Sequence, residues 1–318
     1  MKVGVLMKIK RIFLVLLAGL LLFMLGCSST KQLRPEIALP GGHEDLEWEL
    51  LNIDDIPFPD EEYAFIYKQT VPLLKDIKGT ISKVIGADLT SYEEAVFPDT
   101  EDYRHNVGYL SKNGGSVSID SLTGYWTYHS DSRDIELDAL LNDENLRYEF
   151  APDEELSKMA EEFVRVIGIY DGEFSNVIIT DNYTGYGETA RTIYKDVYLY
   201  PSVDGKNVYG IFRIMVEINS ENQIKSLFCL TNNVKQYEQV KLKTKNDIIE
   251  DIKNGNFSPG IPEPLTNAVI NGCYLTYYAD AVVHSGKTYI YPIYTLIGEG
   301  INEREEIVEF SLMIDAIK

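Results

Sequence analysis

A thiol stands where an apolar run gives way to polar chain, in Leu22-Phe23-Met24-Leu25-Gly26-Cys27-Ser28-Ser29-Thr30. The stretch Ile12 to Leu25 would hold that sulfur at a membrane, so the chemistry on offer at Cys27 is nucleophilic attachment of a lipid. Other chemistry-bearing residues are scattered. His43, His105, His129 and His284 do not have metal-ligand spacing, and His43-Glu44-Asp45 lacks the second histidine of a zinc-binding helix. No Gly-x-Ser-x-Gly turn is present, and Ser28-x-x-Lys31, though spaced as nucleophile and base, lies beside Cys27 in a polar stretch. Carboxylates are so numerous that a glycosidase-like pair could be drawn anywhere, and the separation that would decide it is not in the sequence. The run Asp131 to Asp138 could coordinate calcium but does not match an EF-hand loop, so it reads as an exposed acidic turn. The expectation is a body with no catalytic residues, no metal and no cofactor.

The elements that position Cys27 are those of an export leader. Lys2, Lys8, Lys10 and Arg11 form a basic start, and the apolar core that follows is shorter than the roughly 20 residues a membrane span needs. No basic stop-transfer cluster follows it. Met24-Leu25-Gly26-Cys27 resembles the lipobox of bacterial lipoproteins, with Met24 in place of the more usual leucine. That resemblance implies a diacylglyceryl group on Cys27, cleavage of residues 1–26, and an extracytoplasmic body anchored to the bacterial cell membrane. Met7 to Cys27 is by itself a complete leader, so translation from Met1 or Met7 fits equally. Residues 27–50 then serve as lipidated cysteine and tether, with Pro35, Pro40 and Gly41-Gly42.

Fifty acidic residues against 29 basic ones give a net charge of -21, more negative still without the leader's cations. Such a surface repels nucleic acid. With 45% hydrophobic residues the chain can nevertheless bury real cores, in two or three domains. Cys229 and Cys273 lie in separate strand-like runs and imply no disulfide framework; they read as two buried thiols, although export leaves a bridge chemically open.

Three segments follow the tether, each a helix before strands: 51–145, 146–240 and 241–318. In the first, Leu73, Leu74, Ile77, Ile81, Val84 and Ile85 share a helical face closed by Gly86, ahead of strand-like runs near 105–111, 115–120 and 124–130. In the second, Pro152 and three acids open a helix striped by Leu156, Met159, Ala160, Phe163, Val164 and Ile167 and ended by Gly168. Four strand-like runs come next, with turns at Asp204-Gly205 and Asn219–Asn222. In the third, Thr244-x-x-Asp247 caps a short helix stopped by Asn254-Gly255, before three long strand-like runs. The fold class expected is α+β, as repeated helix-on-antiparallel-sheet units, with 146–318 able to fold alone.

Val203-Asp204-Gly205 through Val216-Glu217-Ile218-Asn219 to Ile224, after an amphipathic helix, resembles the PepSY type of module. The later order, a helix near 245–253 and then "INGCYLTYY" and "YIYPIYTLIGEG", is similar to the extracytoplasmic YycI and YycH regulators of a cell-wall histidine kinase. The resemblance covers roughly 150–318 and implies a regulator of a membrane partner. It also implies a transmembrane helix in contact with that partner, which this chain replaces with a lipid. Its 22 tyrosines, dense in "YLTYY" and "YIYPIY", suit either contact with protein or glycan, or packing; Pro292 hints at a sheet edge.

The function expected is a lipid-anchored binding or regulatory protein, with no catalysis, acting on a protein partner of the cell envelope; the alternative is a cell-envelope hydrolase without a recognised motif. Replacing Cys27 removes the only nucleophile at the expected cut. Cys27→Ala should abolish metabolic labelling with radioactive palmitate, and undiminished labelling would refute the anchor.

Overall fold

Apolar stripes become helices where a start and a stop bracket them. The computed structural model describes residues 48–50, 52, 55–95, 105–131, 133–143, 145–185, 190–260, 264–279 and 289–318. Cys27, the expected leader, most of the expected tether, His43, His284 and the Ser28/Lys31 pair lie outside the described residues.

Helix α1 (Leu74–Ile85) buries Ile77 and Ile81 and stops at Gly86, whose φ of 65° suits a residue without Cβ. Leu73 precedes the helix and is exposed, off the expected stripe. Helix α2 (Arg133–Asn142) falls where an acidic turn was expected. The correction has a physical cause: Leu137 and Leu140, three residues apart, face Ile193 and Tyr194, and Leu140 is fully buried. Helix α3 (Asp153–Ile167) follows Pro152, carries Asp153, Glu154 and Glu155 against its positive end, and closes on Gly168. Helix α4 (Lys245–Lys253) begins with the expected capping box: the Thr244 N–H donates to Asp247 Oδ2 at 2.7 Å, and the Asp247 N–H to Thr244 Oγ1 at 3.4 Å. Those Thr244 bonds, backbone first, and then Lys318, pull the Asp247 carboxyl down to about 2.

The strands in chain order begin with β1 (Trp48–Leu50), β2 (Tyr63–Gln69), β3 (Glu93–Ala95), β4 (Asn106–Leu110), β5 (Ser116–Asp120) and β6 (Trp126–His129). Next come β7 (Phe174–Thr184), β8 (Arg191–Pro201), β9 (Val208–Gly210), β10 (Ile214–Ile218) and β11 (Ile224–Cys229). The last are β12 (Val234–Lys241), β13 (Ser258–Gly260), β14 (Leu265–Ala279), β15 (Tyr289–Ile301) and β16 (Ile307–Asp315). The fold is thus α+β and mostly sheet.

One antiparallel sheet runs β3-β4-β5-β6-β11-β10-β8-β7. Its two halves come from the first and second segments and meet at β6 and β11, from Trp126 opposite Cys229 to His129 opposite Ser226. One apolar face of this sheet, with Ile119, Val197, Ile214 and Leu227, packs against Ile77 and Ile81 of α1 and Leu156 and Val164 of α3. Each fully buried aliphatic side chain there contributes roughly 1.5–3 kcal/mol. Lys83 of α1 donates to the Ile167 carbonyl at 3.3 Å, where a cation stabilises the C-terminal end of α3.

The other sheet runs β1-β14-β15-β16-β13, with β2 beside β15, β12 beside β2, and β9 beside β14. The strands are therefore not shared out in three helix-then-strands units, and in the first segment β2 precedes α1 while α2 follows the strands. The third segment's sheet takes β2 from the first and β9 and β12 from the second. The run Asn207 to Ile218 divides between the sheets at Gly210. Its φ is 87°, and a Cβ there would fall on the Ala279 carbonyl oxygen. Pro292 is also corrected: it lies mid-sheet opposite Tyr277, between the part of β15 that pairs with β2 and the part that pairs with β16. At that change of partner its missing N–H costs little. The β6–β11 seam likewise argues against independent folding of 146–318, since such a fragment loses every partner of β11 on that side.

Candidate functional site

The pairings that build the first sheet also set a row of polar residues across it. Ser116 lies opposite His129, His129 opposite Ser226, Ser226 opposite Glu217, Glu217 opposite Asp196, and Asp196 opposite Thr180. Their neighbours Leu227, Val216 and Val197 point to the helices, so by strand alternation the row lies on the opposite face. Glu217 and Ser226 are 1% and 0% exposed.

A serine, a histidine and a carboxylate in one chain of contacts invite comparison with a nucleophilic site. His129 Nδ1 is 2.9 Å from Ser226 Oγ, and Ser226 Oγ donates to Glu217 Oε1 at 2.8 Å. Serine has one proton, and it is directed at the carboxylate, so His129 Nδ1 must be the donor to Ser226. A nucleophilic serine needs the reverse order, with histidine receiving its proton. Asn182 Nδ2 donates to Glu217 Oε2 at 3.3 Å and lies 3.5 Å from Asp196 Oδ2. The arrangement stabilises a buried carboxylate by hydrogen bonds. The sequence signal was Glu217 itself, a charge inside the apolar run Ile214 to Ile218. Its partners could not be read because each stands on a different strand.

The remaining candidates are dispersed. His105 is exposed, and its carbonyl accepts from the Ser121 N–H and hydroxyl. Asp131 accepts from Ser111 Oγ at 2.6 Å and Asn113 Nδ2 at 3.3 Å, which ties the β4–β5 turn. Cys229 and Cys273 are free and sit in different sheets; burial pushes both thiols up to about 12. Of the clustered tyrosines, Tyr277, Tyr278, Tyr289, Tyr291 and Tyr294 are buried in the second sheet and Tyr274 is exposed, so packing accounts for most. Among the described residues no three His, Cys, Asp or Glu side chains could together hold a metal ion, and no helix is long and apolar enough to cross a membrane.

The surface feature that stands out is an edge. A sheet edge exposes unpaired N–H and C=O groups, and proteins blunt it by shortness, charge, proline or bulges. Here β3 has three residues, two of them glutamates, and β13 has three with Pro259. Strand β12 carries Lys235, Glu238 and Lys241 and a register shift after Gln236. Strand β7 runs for 11 residues with one charge and no proline; its register with β8 shifts between Phe174 and Asn176 and between Asn182 and Tyr183, and among the described residues it pairs only with β8. Its single charge, Asp181, is taken by Lys195 at 2.7 Å and the Tyr183 hydroxyl at 2.9 Å, and the Lys195 ammonium holds that carboxyl below its usual range. Ile178 is 42% exposed.

Beside the first half of β7 a groove of about 370 Å³ opens between the two sheets, lined by Ser175, Asn176, Ile178, Tyr200, Tyr209 and Arg213 among others. The Arg213 guanidinium lies 5.6 Å from the Tyr198 ring centroid and donates to the Gly210 carbonyl at 3.3 Å. No carboxylate among the described residues pairs with it.

No protein-family model matches the chain, and no curated protein matches it. Among solved structures it is similar to the Bacillus megaterium YpeB C-terminal domain at 9% identity and a TM-score of 0.33, over 75% of this chain and 97% of that one. At that likeness neither fold nor function transfers.

The polar row predicts a stability effect. Ser226→Ala leaves both His129 Nδ1 and Glu217 Oε1 without that hydroxyl, and should lower unfolding free energy by about 1–3 kcal/mol in urea melts. An unchanged midpoint would mean the row does not support the sheet.

Proposed function

We propose that the chain is a lipid-anchored extracytoplasmic binding protein, which engages a protein of the membrane or cell wall by accepting an extended segment along β7. The observation that carries this reading is the long β7 edge, with its single charge already paired, and its adjoining groove. Strand addition supplies main-chain hydrogen bonds for affinity and alternate side-chain pockets for specificity. The groove offers Ile178 and Tyr209 to apolar side chains and Arg213 to an acidic one. Support from the sequence comes from the leader, Cys27, and the resemblance of 150–318 to PepSY modules and the YycI and YycH regulators. A lipid on Cys27 would hold the body at the membrane and raise the effective concentration of partners there. The hydrolase alternative would not run through Glu217 and Ser226, which are hydrogen-bonded to each other under cover.

The test places a photo-crosslinking amino acid at Thr180 on β7 and, separately, at Gln239 on β12, in cells lacking the native gene. Capture of one defined envelope protein from position 180, lost in Ile178→Lys together with complementation but without a change in melting temperature, is the expected result. Full complementation by Ile178→Lys, with equal capture from both edges, would remove the strand-addition reading.

A further inference from the structure

A second feature, independent of β7, lies on the other sheet. Lys235 of β12 stands directly opposite Lys68 of β2, and Lys68 stands opposite Tyr289 of β15. Cross-strand partners share a face, and like charges in that relation are unfavourable. Edge protection explains Lys235, because β12 is an edge strand. It does not explain Lys68, because β2 lies inside the sheet between β12 and β15. In a chain with 50 acidic residues a carboxylate opposite Lys68 would be the ordinary solution. Yet both lysines are exposed, and neither has a carboxylate partner among the described residues.

The surroundings are shaped as well as charged. A groove of about 470 Å³ is lined by Lys68, Gln69, Thr70, Lys235, Gln236 and Tyr237, with Val71. Two of its lining residues are held in place: Gln69 Nε2 donates to the Tyr125 hydroxyl at 2.8 Å, and the Thr70 N–H donates to the Asn233 carbonyl at 2.7 Å. Lys68 Nζ lies 5.7 Å from the Tyr289 ring centroid, and the Tyr237 and Tyr289 rings are 5.0 Å apart, so an aromatic wall flanks the cations. The volume suits a small organic ligand.

We infer that this groove binds a phosphomonoester, with Lys68 and Lys235 on the phosphoryl oxygens and Tyr237 against the polyol or sugar that carries it. A phosphomonoester has a charge of about −1.5 to −2 near neutral pH, enough to offset both ammonium groups, where one carboxylate would offset only one. Lysine binds phosphate as a point charge and needs no fork geometry. Lys68 and Lys235 are the charged residues that line the groove, and charges beyond roughly 8 Å are screened at physiological salt.

The same chemistry occurs free in solution and on a lipid headgroup, and two arms separate the sources. The full-length protein in detergent is titrated calorimetrically with glycerol 3-phosphate. Separately, the Cys27→Ala protein, which has no lipid of its own, is assayed for flotation with phosphatidylcholine vesicles with and without phosphatidic acid, and the difference between the two is read as binding. Binding in one arm that falls at least tenfold in Lys68→Met and in Lys235→Glu supports the site and identifies the source. Without ligand, Lys235→Glu should also raise the melting temperature by about 1–2 °C, because it converts an opposed pair into an attractive one. Failure to bind in either arm, binding that survives both substitutions, or a melting temperature in Lys235→Glu that does not rise would overturn the proposal. Each is separable from the β7 reading, since none of these residues lies on β7 or its groove.

Discussion

Four residue pairs, Trp126 with Cys229 through His129 with Ser226, join the two halves of the first sheet, and both of its faces follow from their register. In that register Trp126, Tyr128, Leu227 and Cys229 reach the helices, while Thr127, His129, Ser226 and Phe228 take the opposite face. A slip of one residue on either strand would drive His129 or Ser226 into the apolar cluster, and the cost of burying an unpaired polar group excludes it. The hydrogen-bonded chain from His129 to Ser226 to Glu217 then acts as a second reading of the same register. Packing on one face and polar pairing on the other agree.

With the halves fixed, α1 and α3 lie on a continuous apolar surface that neither half would offer alone, and Lys83 can reach the carbonyl end of α3. The chain then crosses between sheets at Gly210, where Ile211 N–H donates to the Ala279 carbonyl at 3.2 Å. Strands β2, β9 and β12 carry residues from the first two segments into the sheet of the third. The outer edges left by this arrangement are unequal. Most are short or carry several charges, whereas β7 is long, has the single paired charge of Asp181 and adjoins the groove, which is why it draws the functional reading.

Local features of the fold were legible in the sequence because local chemistry causes them. The stops at Gly86, Gly168 and Asn254-Gly255, the Thr244–Asp247 box, and the Asp204-Gly205 turn with φ of 55° and 67° each depend on residues a few positions apart. Strand β2 was not legible as a strand, since its partners are β12 and β15, far along the chain. The division of β9 from β10 depends on the Ala279 carbonyl, and the opposition of Lys68 to Lys235 on a pairing that no local pattern encodes. Helix α2 was hidden by its acidic composition, although Leu137 and Leu140 held the signal. The candidate sites were illegible for one shared reason: each is assembled across strands, and only register brings its members together.

The claim that the seam makes one cooperative body is tested most directly by comparing urea unfolding of residues 146–318 with that of residues 27–318. Without β6, the fragment exposes the paired side of β11, and without α1 it exposes apolar surface beside α3; β12 and β15 lose β2. The account predicts a single cooperative transition for the whole body and no cooperative transition for the fragment. A fragment that unfolds cooperatively, with a midpoint near that of the whole body, would contradict it.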